Sequence, residues 1–332
     1  MTGCRPTTRR AGTGRERELG DHVVETAPRE RAELQRAFPE LAPYGLPAAR
    51  LHPRPGTPTV RDSSVGGPPL WPADEPWPTC AGPHPEPMDL GPRAEDASHA
   101  ALHQVIAALG ARPVPGAAPV PLVPVLQLRR SDAPGTYFPG DADLLQILWC
   151  PRQHAEASDG LRPAVFWRRA AEVTPGPARP TAEPGPRVPV PCAVHPEELV
   201  EFPWMEQGYG YTVGPSPLPG ALQRRIHAWD ADRARGLDYH ALAVAPGWKV
   251  GGWDLTHPVC DCGTTMVMLF QTSQYEFLDG TWAPRDDPGF PWGDPGDAAA
   301  QQPTGVRLGG DRCAMVHLCP ADPDHPLHHS VN

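Results

Sequence analysis

Eight side chains in this sequence have the types and spacing of metal ligands. Cys80 and His84 stand four apart, as do Cys150 and His154, while Cys260 and Cys262 are two apart and Cys319 and His325 six apart. Thiolate and imidazole are donors that a tetrahedral zinc ion takes, and each half of the chain offers four of them. A close pair lets one turn deliver two donors to the same ion. Proline directly after Cys150 and after Cys319 ends a strand there, so the thiolate projects from its tip. Gly263 supplies the positive φ that a turn after Cys260 and Cys262 needs. The expectation is zinc, up to two ions, each with four protein donors and no open position for water, which makes the sites structural rather than catalytic. The competing reading makes Cys80, Cys150 and Cys319 buried core thiols, a common fate of free cysteine, with the histidines on surface loops. Cys4, Cys192 and Cys313 have no partner at such spacing.

Two further groups have some chemical potential. Trp71, Trp77, Trp248 and Trp253 flank two Gly-Gly turns, with several prolines beside the first pair. Exposed, they could grip a Pro-rich or extended peptide; turned inward, they cap a core under a loop. Lys249 beside the backbone donors of Gly251 and Gly252 could hold an anion as peptide nests do, or be a solvated lysine before a turn. The sequence has no Gly-x-Ser-x-Gly elbow, no phosphate-binding Gly-x4-Gly-Lys loop, no His-Glu-x2-His helix and no dinucleotide fingerprint.

The elements that must position these residues are short. With 48 Pro and 33 Gly in 332 residues, about a quarter of the chain breaks or bends regular structure, which excludes long bundles and coiled coils. Apolar patterning gives strands at 122–128, 144–149, 165–169, 266–271 and 314–318, another at 241–245, and helices at 25–38, 95–109 and 218–235. The chain divides into a disordered arm and N-terminal helix (1–50), a first unit (51–173) carrying a helical insertion at about 89–119, a Pro-rich extended connector (174–191) and a second unit (192–332). A Pro, Gly and Asp-rich loop fills 279–310.

The two units line up. Val65-Gly66-Gly67, a Trp/Pro loop to Cys80, a strand at 122–127 and Gln146-Ile147-Leu148-Trp149-Cys150-Pro151 are matched by Val250-Gly251-Gly252, a loop to Cys260, a strand at 266–271 and Met315-Val316-His317-Leu318-Cys319-Pro320. The order is the same, so an internal duplication is expected. The fold class expected is α+β, rich in strand, with two similar repeats, few helices and many Pro/Gly loops.

A net charge of −10 and no basic stripe argue against general nucleic-acid binding. No apolar window reaches membrane-spanning length; the longest, near 120–128, is interrupted by Pro121 and Pro124. The N-terminus lacks the apolar stretch of a secretory leader. The expected location is therefore cytoplasmic, with the eight cysteines reduced.

These words together resemble the YwqG-like family of uncharacterised bacterial proteins, also called DUF1963. The resemblance runs from about residue 51 to the C-terminus. It is carried by Arg54-Pro55-Gly56, Asp62-Ser63-Ser64-Val65-Gly66-Gly67, Leu70-Trp71-Pro72, Trp77-Pro78-Thr79-Cys80, Val123-Pro124-Val125-Leu126-Gln127-Leu128, Leu144-Leu145-Gln146, Gly247-Trp248-Lys249-Val250-Gly251-Gly252-Trp253, 260–263 and Cys319-Pro320. It implies an α+β fold of two similar halves and no established activity. The segment after Met88 departs from the pattern by lengthening the first half, and the loop between Trp253 and Cys260 is short.

Two function classes follow. The first is a non-enzymatic binding or interaction protein, its units held by structural zinc and its Trp/Pro loops or inter-repeat groove meeting a protein or peptide partner. The second is a metal-dependent hydrolase in which one histidine, His84 or His154, leaves its metal partly open.

Overall fold

The computed structural model describes residues 26–82, 84, 118–152, 154, 161–176, 183–205, 216–231, 239–254, 258–276, 282, 301–308 and 313–331. The N-terminal arm, the insertion helix expected at 95–109 and most of the 279–310 loop lie outside these residues.

The described chain is β-rich. In order, its strands are β1 (Leu46–Arg50), β2 (Arg54–Pro55), β3 (Ser64–Val65), β4 (Thr79–Cys80), β5 (Val120–Pro121), β6 (Val123–Arg129), β7 (Leu144–Trp149), β8 (Pro163–Arg168), β9 (Cys192–Ala193), β10 (Glu197–Glu201), β11 (Lys249–Gly251), β12 (Val267–Ser273), β13 (Cys313–Leu318) and β14 (His328–Val331). They form two antiparallel six-stranded sheets, ordered β10-β1-β11-β12-β13-β14 and β2-β9-β3-β6-β7-β8, while β4 pairs with β5 apart. The five longer strands expected from patterning are present within about two residues. The first sheet takes β1, from the region read as arm and helix, beside β11. The second takes β9, from beyond the connector, beside β3.

Both sheets bury one face in a shared core. Ala49, Val250, Phe270, Ala314, Val316 and Leu318 from one sheet pack with Val65, Val125, Leu128, Leu145, Ile147 and Trp149 from the other. Because side chains alternate along a strand, sending 145, 147 and 149 inward puts Gln146, Leu148 and Cys150 on the outer face. In the same way, 314, 316 and 318 point inward and Met315, His317 and Cys319 outward. Both sheets also slip register at one place: between Pro124 and Leu126 against β7, and between Met268 and Phe270 against β13. Such a bulge bends its strand and sharpens the local twist.

Helices cover one flank. α1 (Glu30–Ala37), α2 (Gly220–Ala231) and α3 (Tyr239–Ala243) bury Leu34, Leu222, Ile226, Tyr239 and Leu242 in a second apolar cluster. Pro219 accepts the first N–H bond of α2 from Leu222 at 2.9 Å. The strand expected at 241–245 is replaced by α3. Ala241-Leu242-Ala243 favours helix, and Tyr239, Leu242 and Ala243, at helical spacing, bury together; a short apolar run cannot distinguish the two by pattern alone.

Candidate metal centres

The eight spaced ligands come together as two groups of four. The ligand atoms of Cys80, His84, Cys150 and His154 all lie within 4.8 Å of one another, and so do those of Cys260, Cys262, Cys319 and His325. Among the described residues these are the only groups of three or more potential ligands so placed.

The second centre is built by a tight turn and a strand tip. Val259 bridges Thr265, Met266 N–H bonds Pro258 O at 2.9 Å, and Cys260 N–H bonds Thr264 O at 2.9 Å. Gly263 N–H closes the turn on Cys260 O at 2.8 Å with φ +84, and a Cβ there would meet nothing within 4 Å. The backbone angle alone explains that glycine. Cys319, one residue beyond β13, reaches the turn on the outer face. Cys262 Sγ lies 3.6 Å from Cys319 Sγ, and Cys260 Sγ lies 3.4 Å from His325 Nδ1.

The first centre repeats the plan around a longer loop. Leu122 N–H bonds Pro78 O at 3.0 Å, as Met266 bonds Pro258, and Cys80 pairs with Val120 where Cys260 meets Thr264. Residues 81–119 thus connect, along the chain, the two sides of the ladder that the short 261–263 turn closes in the second centre. Cys150, one residue beyond β7, completes the set: Cys80 Sγ lies 3.6 Å from His154 Nε2, and Cys150 Sγ lies 3.3 Å from His84 Nε2. Gly82, φ +89, turns the chain from Cys80 towards His84.

The surroundings suit thiolates. Backbone N–H groups face the sulfurs from two or three residues on: Arg152 to Cys150, Cys262 to Cys260, Thr264 to Cys262, and both Ala321 and Asp322 to Cys319. Such donors stabilise negative sulfur and orient it. The Thr264 hydroxyl and N–H hold the Cys262 thiol down at about 6. Burial pushes the Cys150 thiol up to about 11, so a thiolate there needs a cation beside it. Burial, with Arg152 and Arg162 near, lowers His84 and favours the neutral, ligating imidazole. His325 carries Asp322 3.7 Å from Nε2, the outer carboxylate that commonly aligns a metal-binding histidine. The sequence reading missed these outer partners; Thr264 two after Cys262 and Asp322 three before His325 were the available signals. A cation with affinity for sulfur and imidazole fits both centres.

The other singled-out residues are mostly interior. Trp71 is 2% and Trp248 1% exposed, so neither grips a partner. Trp71 packs between Arg168, 4.4 Å from its ring, and Trp77 and Phe166. Trp77 and Trp253 are half-buried and donate their ring N–H to Leu122 O and Tyr44 O, both at 2.9 Å. Lys249 is fully buried, and the anion beside it is internal: Nζ lies 2.7 and 2.8 Å from the Glu201 oxygens. Gly251 and Gly252 have φ +68 and +82, and the turn they form aims Trp253 N–H at Glu201, 2.8 Å away. Cys192 is a core thiol, pushed up to about 12 by burial and bonded to Pro303 O.

A second buried network was not foreseen. His52, at φ +42, sets Nδ1 2.7 Å from Glu276 Oε1 and Nε2 3.1 Å from Glu197 Oε2. Arg50 donates to Glu276 O at 2.7 Å, and Thr26 binds Glu197 through N and Oγ1 at 2.9 and 2.6 Å. A cleft of about 750 Å³ opens elsewhere, lined in part by Glu75, Asp141, Trp167, Arg168 and Glu172. None of the eight Cys and His ligands lines it, and Arg168 is engaged by Glu75 at 2.7 Å. No helix among the described residues is long and apolar enough to cross a membrane.

Comparison with models of known protein families and with curated proteins finds no match to this chain.

Proposed function

We propose that this is a non-enzymatic binding protein of the YwqG-like kind, whose two halves arose by duplication and are each fastened by one structural zinc ion. The observation that carries the reading is the gathering of four sulfur and nitrogen donors within 4.8 Å at two separate places. Four protein donors complete a tetrahedron and leave no position for an activated water. The hydrolase alternative needs that position.

Three features support the duplication. Strands β3, β6, β7 and β8 occupy the same places in their sheet as β11, β12, β13 and β14 in theirs. The register slips sit at matching points, three residues after Leu122 and three after Met266. Both centres also start from a Pro-x-Cys segment hydrogen-bonded to the residue before the long strand.

Zinc suits a chain this rich in proline and glycine. Structural zinc binding is folding free energy, about 10–16 kcal/mol apparent in small zinc-dependent peptides, and each ion would tie a strand tip to a distant loop. The location proposed is the cytoplasm, where thiols stay reduced and available to a metal. The partner proposed is a protein or peptide; neither a membrane nor nucleic acid in general fits the charge and composition. Elemental analysis of protein purified without chelator tests the reading. Two zinc ions per chain, with melting temperature falling as chelator removes them, is the expected result; full stability without metal would overturn it.

A further inference from the structure

The two centres differ in what solvent can reach. In the first, Cys80, Cys150 and His154 are buried and each sulfur lies beside a histidine, at 3.6 and 3.3 Å. In the second, Cys262 is exposed while Cys319 behind it is fully buried, and the two sulfurs lie 3.6 Å apart. Cys260, which also neighbours both of these thiols, is buried and lies 3.4 Å from His325 Nδ1. An exposed sulfur with a sheltered thiol directly behind it is the arrangement of an attacking and a resolving cysteine.

Resting on the zinc reading above, we propose that Cys262 and Cys319 form a peroxide-sensitive redox pair, which closes to a disulfide and releases the second centre's zinc while the first centre keeps its own. The oxidant is a hydroperoxide. The Cys262 sulfur attacks one peroxide oxygen, the O–O bond breaks, and the sulfur becomes a sulfenic acid as the other oxygen leaves and takes a proton to give water. The Cys319 sulfur then attacks Cys262, the S–S bond forms, and the hydroxide expelled takes a second proton to give another water. Two thiolates, one hydrogen peroxide and two protons become one disulfide and two waters. The sulfur pair loses two electrons and the peroxide gains them.

The geometry permits the step. A disulfide needs sulfurs about 2.05 Å apart, so a 3.6 Å gap closes by a modest shift of the turn carrying Cys262. A Cβ on Gly263 would meet nothing within 4 Å, so no neighbouring group blocks that shift on this side of the turn. The ion would be left with Cys260 and His325, half of its donors, and would dissociate. Cys80 and Cys150 are neighbours as well, but their burial shields both from peroxide.

The test uses the full chain, purified with zinc and counted before treatment. Hydrogen peroxide is added, freed zinc is followed with a chromogenic chelator, and disulfides are mapped by peptide mass spectrometry without reduction. One equivalent is expected to leave at least about ten times faster than the other, with Cys262 bridged to Cys319, and dithiothreitol with added zinc should restore it. Cys262→His keeps four donors and removes the attacking sulfur, so its second-centre ion should leave no faster than the first centre's. Release of both ions together, retention of both, or a bridge other than Cys262 to Cys319 overturns the redox pair. A starting preparation that binds no zinc overturns the zinc reading itself, and the count before peroxide separates the two failures.

Discussion

Glu201 at the end of β10 clasps Lys249 at the start of β11 across the intervening β1, both oxygens within 2.8 Å of Nζ and both side chains sealed from water. Ala245 N–H and Trp253 N–H complete the shell of the carboxylate at 2.8 Å each, and Trp253 O accepts from Nζ at 2.9 Å. The Gly251-Gly252 turn is therefore part of a site for an anion, and the protein supplies that anion itself.

Removing either charge strands the other. Glu201→Gln and Lys249→Met should each destabilise the fold by about 3–5 kcal/mol, because an uncompensated buried charge remains. The double variant should lose less than the sum, with a coupling of roughly 1–3 kcal/mol. Denaturant titration of the four proteins measures it; strict additivity would show that the pair contributes nothing as a pair.

Glu197 makes stability depend on acid. Burial alone would raise its carboxyl, but hydrogen bonds from His52 and from the side chain and backbone of Thr26 outweigh that and hold it at about 2, against an ordinary value of 4.5. The folded value is depressed, so its contribution is present above about pH 4.5 and is lost as pH falls towards 2. It amounts to up to about 3 kcal/mol. Melting temperatures from pH 6 to 2 should converge for the wild type and Glu197→Gln at the acid end and diverge above it. A constant offset would contradict this assignment.

Two glycines with positive φ separate strain from sterics. Gly263→Ala meets open space, so it should cost only the backbone term of about 1 kcal/mol and weaken metal retention at the second centre alone. A Cβ on Gly252 would run into the Glu201 carboxylate, so Gly252→Ala should cost more and disturb the Lys249 pair. Equal losses for the two would contradict the distinction.

Cysteine substitutions should sort by role. Cys150→Ser is expected to remove one of two zinc ions and lower the melting temperature, whereas Cys192→Ala, which removes a core thiol bonded to Pro303 O, should leave the zinc count unchanged. Elemental analysis of both variants decides it.

The candidate metal ligands were legible because their information is local. A Cys with a second donor two to six residues on fixes a turn, and proline after Cys150 and Cys319 fixes a strand tip. Strand parity then sends Cys150 and Cys319 to the outer face once Trp149 and Leu318 are inward. The long strands and α2 were legible for the same reason, through their apolar period. The charge networks were not. Glu201 with Lys249, and His52 with Glu197 and Glu276, join residues far apart in sequence, and no local pattern marks a glutamate as buried. The tryptophans beside the Gly-Gly turns fit a core cap more readily than an exposed grip, without local pattern deciding it; the Arg168 guanidinium over Trp71 and the outer face of the sheet beneath it decide for the core. In 239–245, alanine and leucine gave no period long enough to choose helix over strand.

The most direct test is X-ray absorption at the zinc edge on protein purified without chelator. Five cysteines and three histidines shared between two ions predict an average shell of two and a half sulfurs and one and a half nitrogens per zinc, with no oxygen. A shell in which water oxygen replaces a histidine, or a preparation that holds no zinc, would contradict the account.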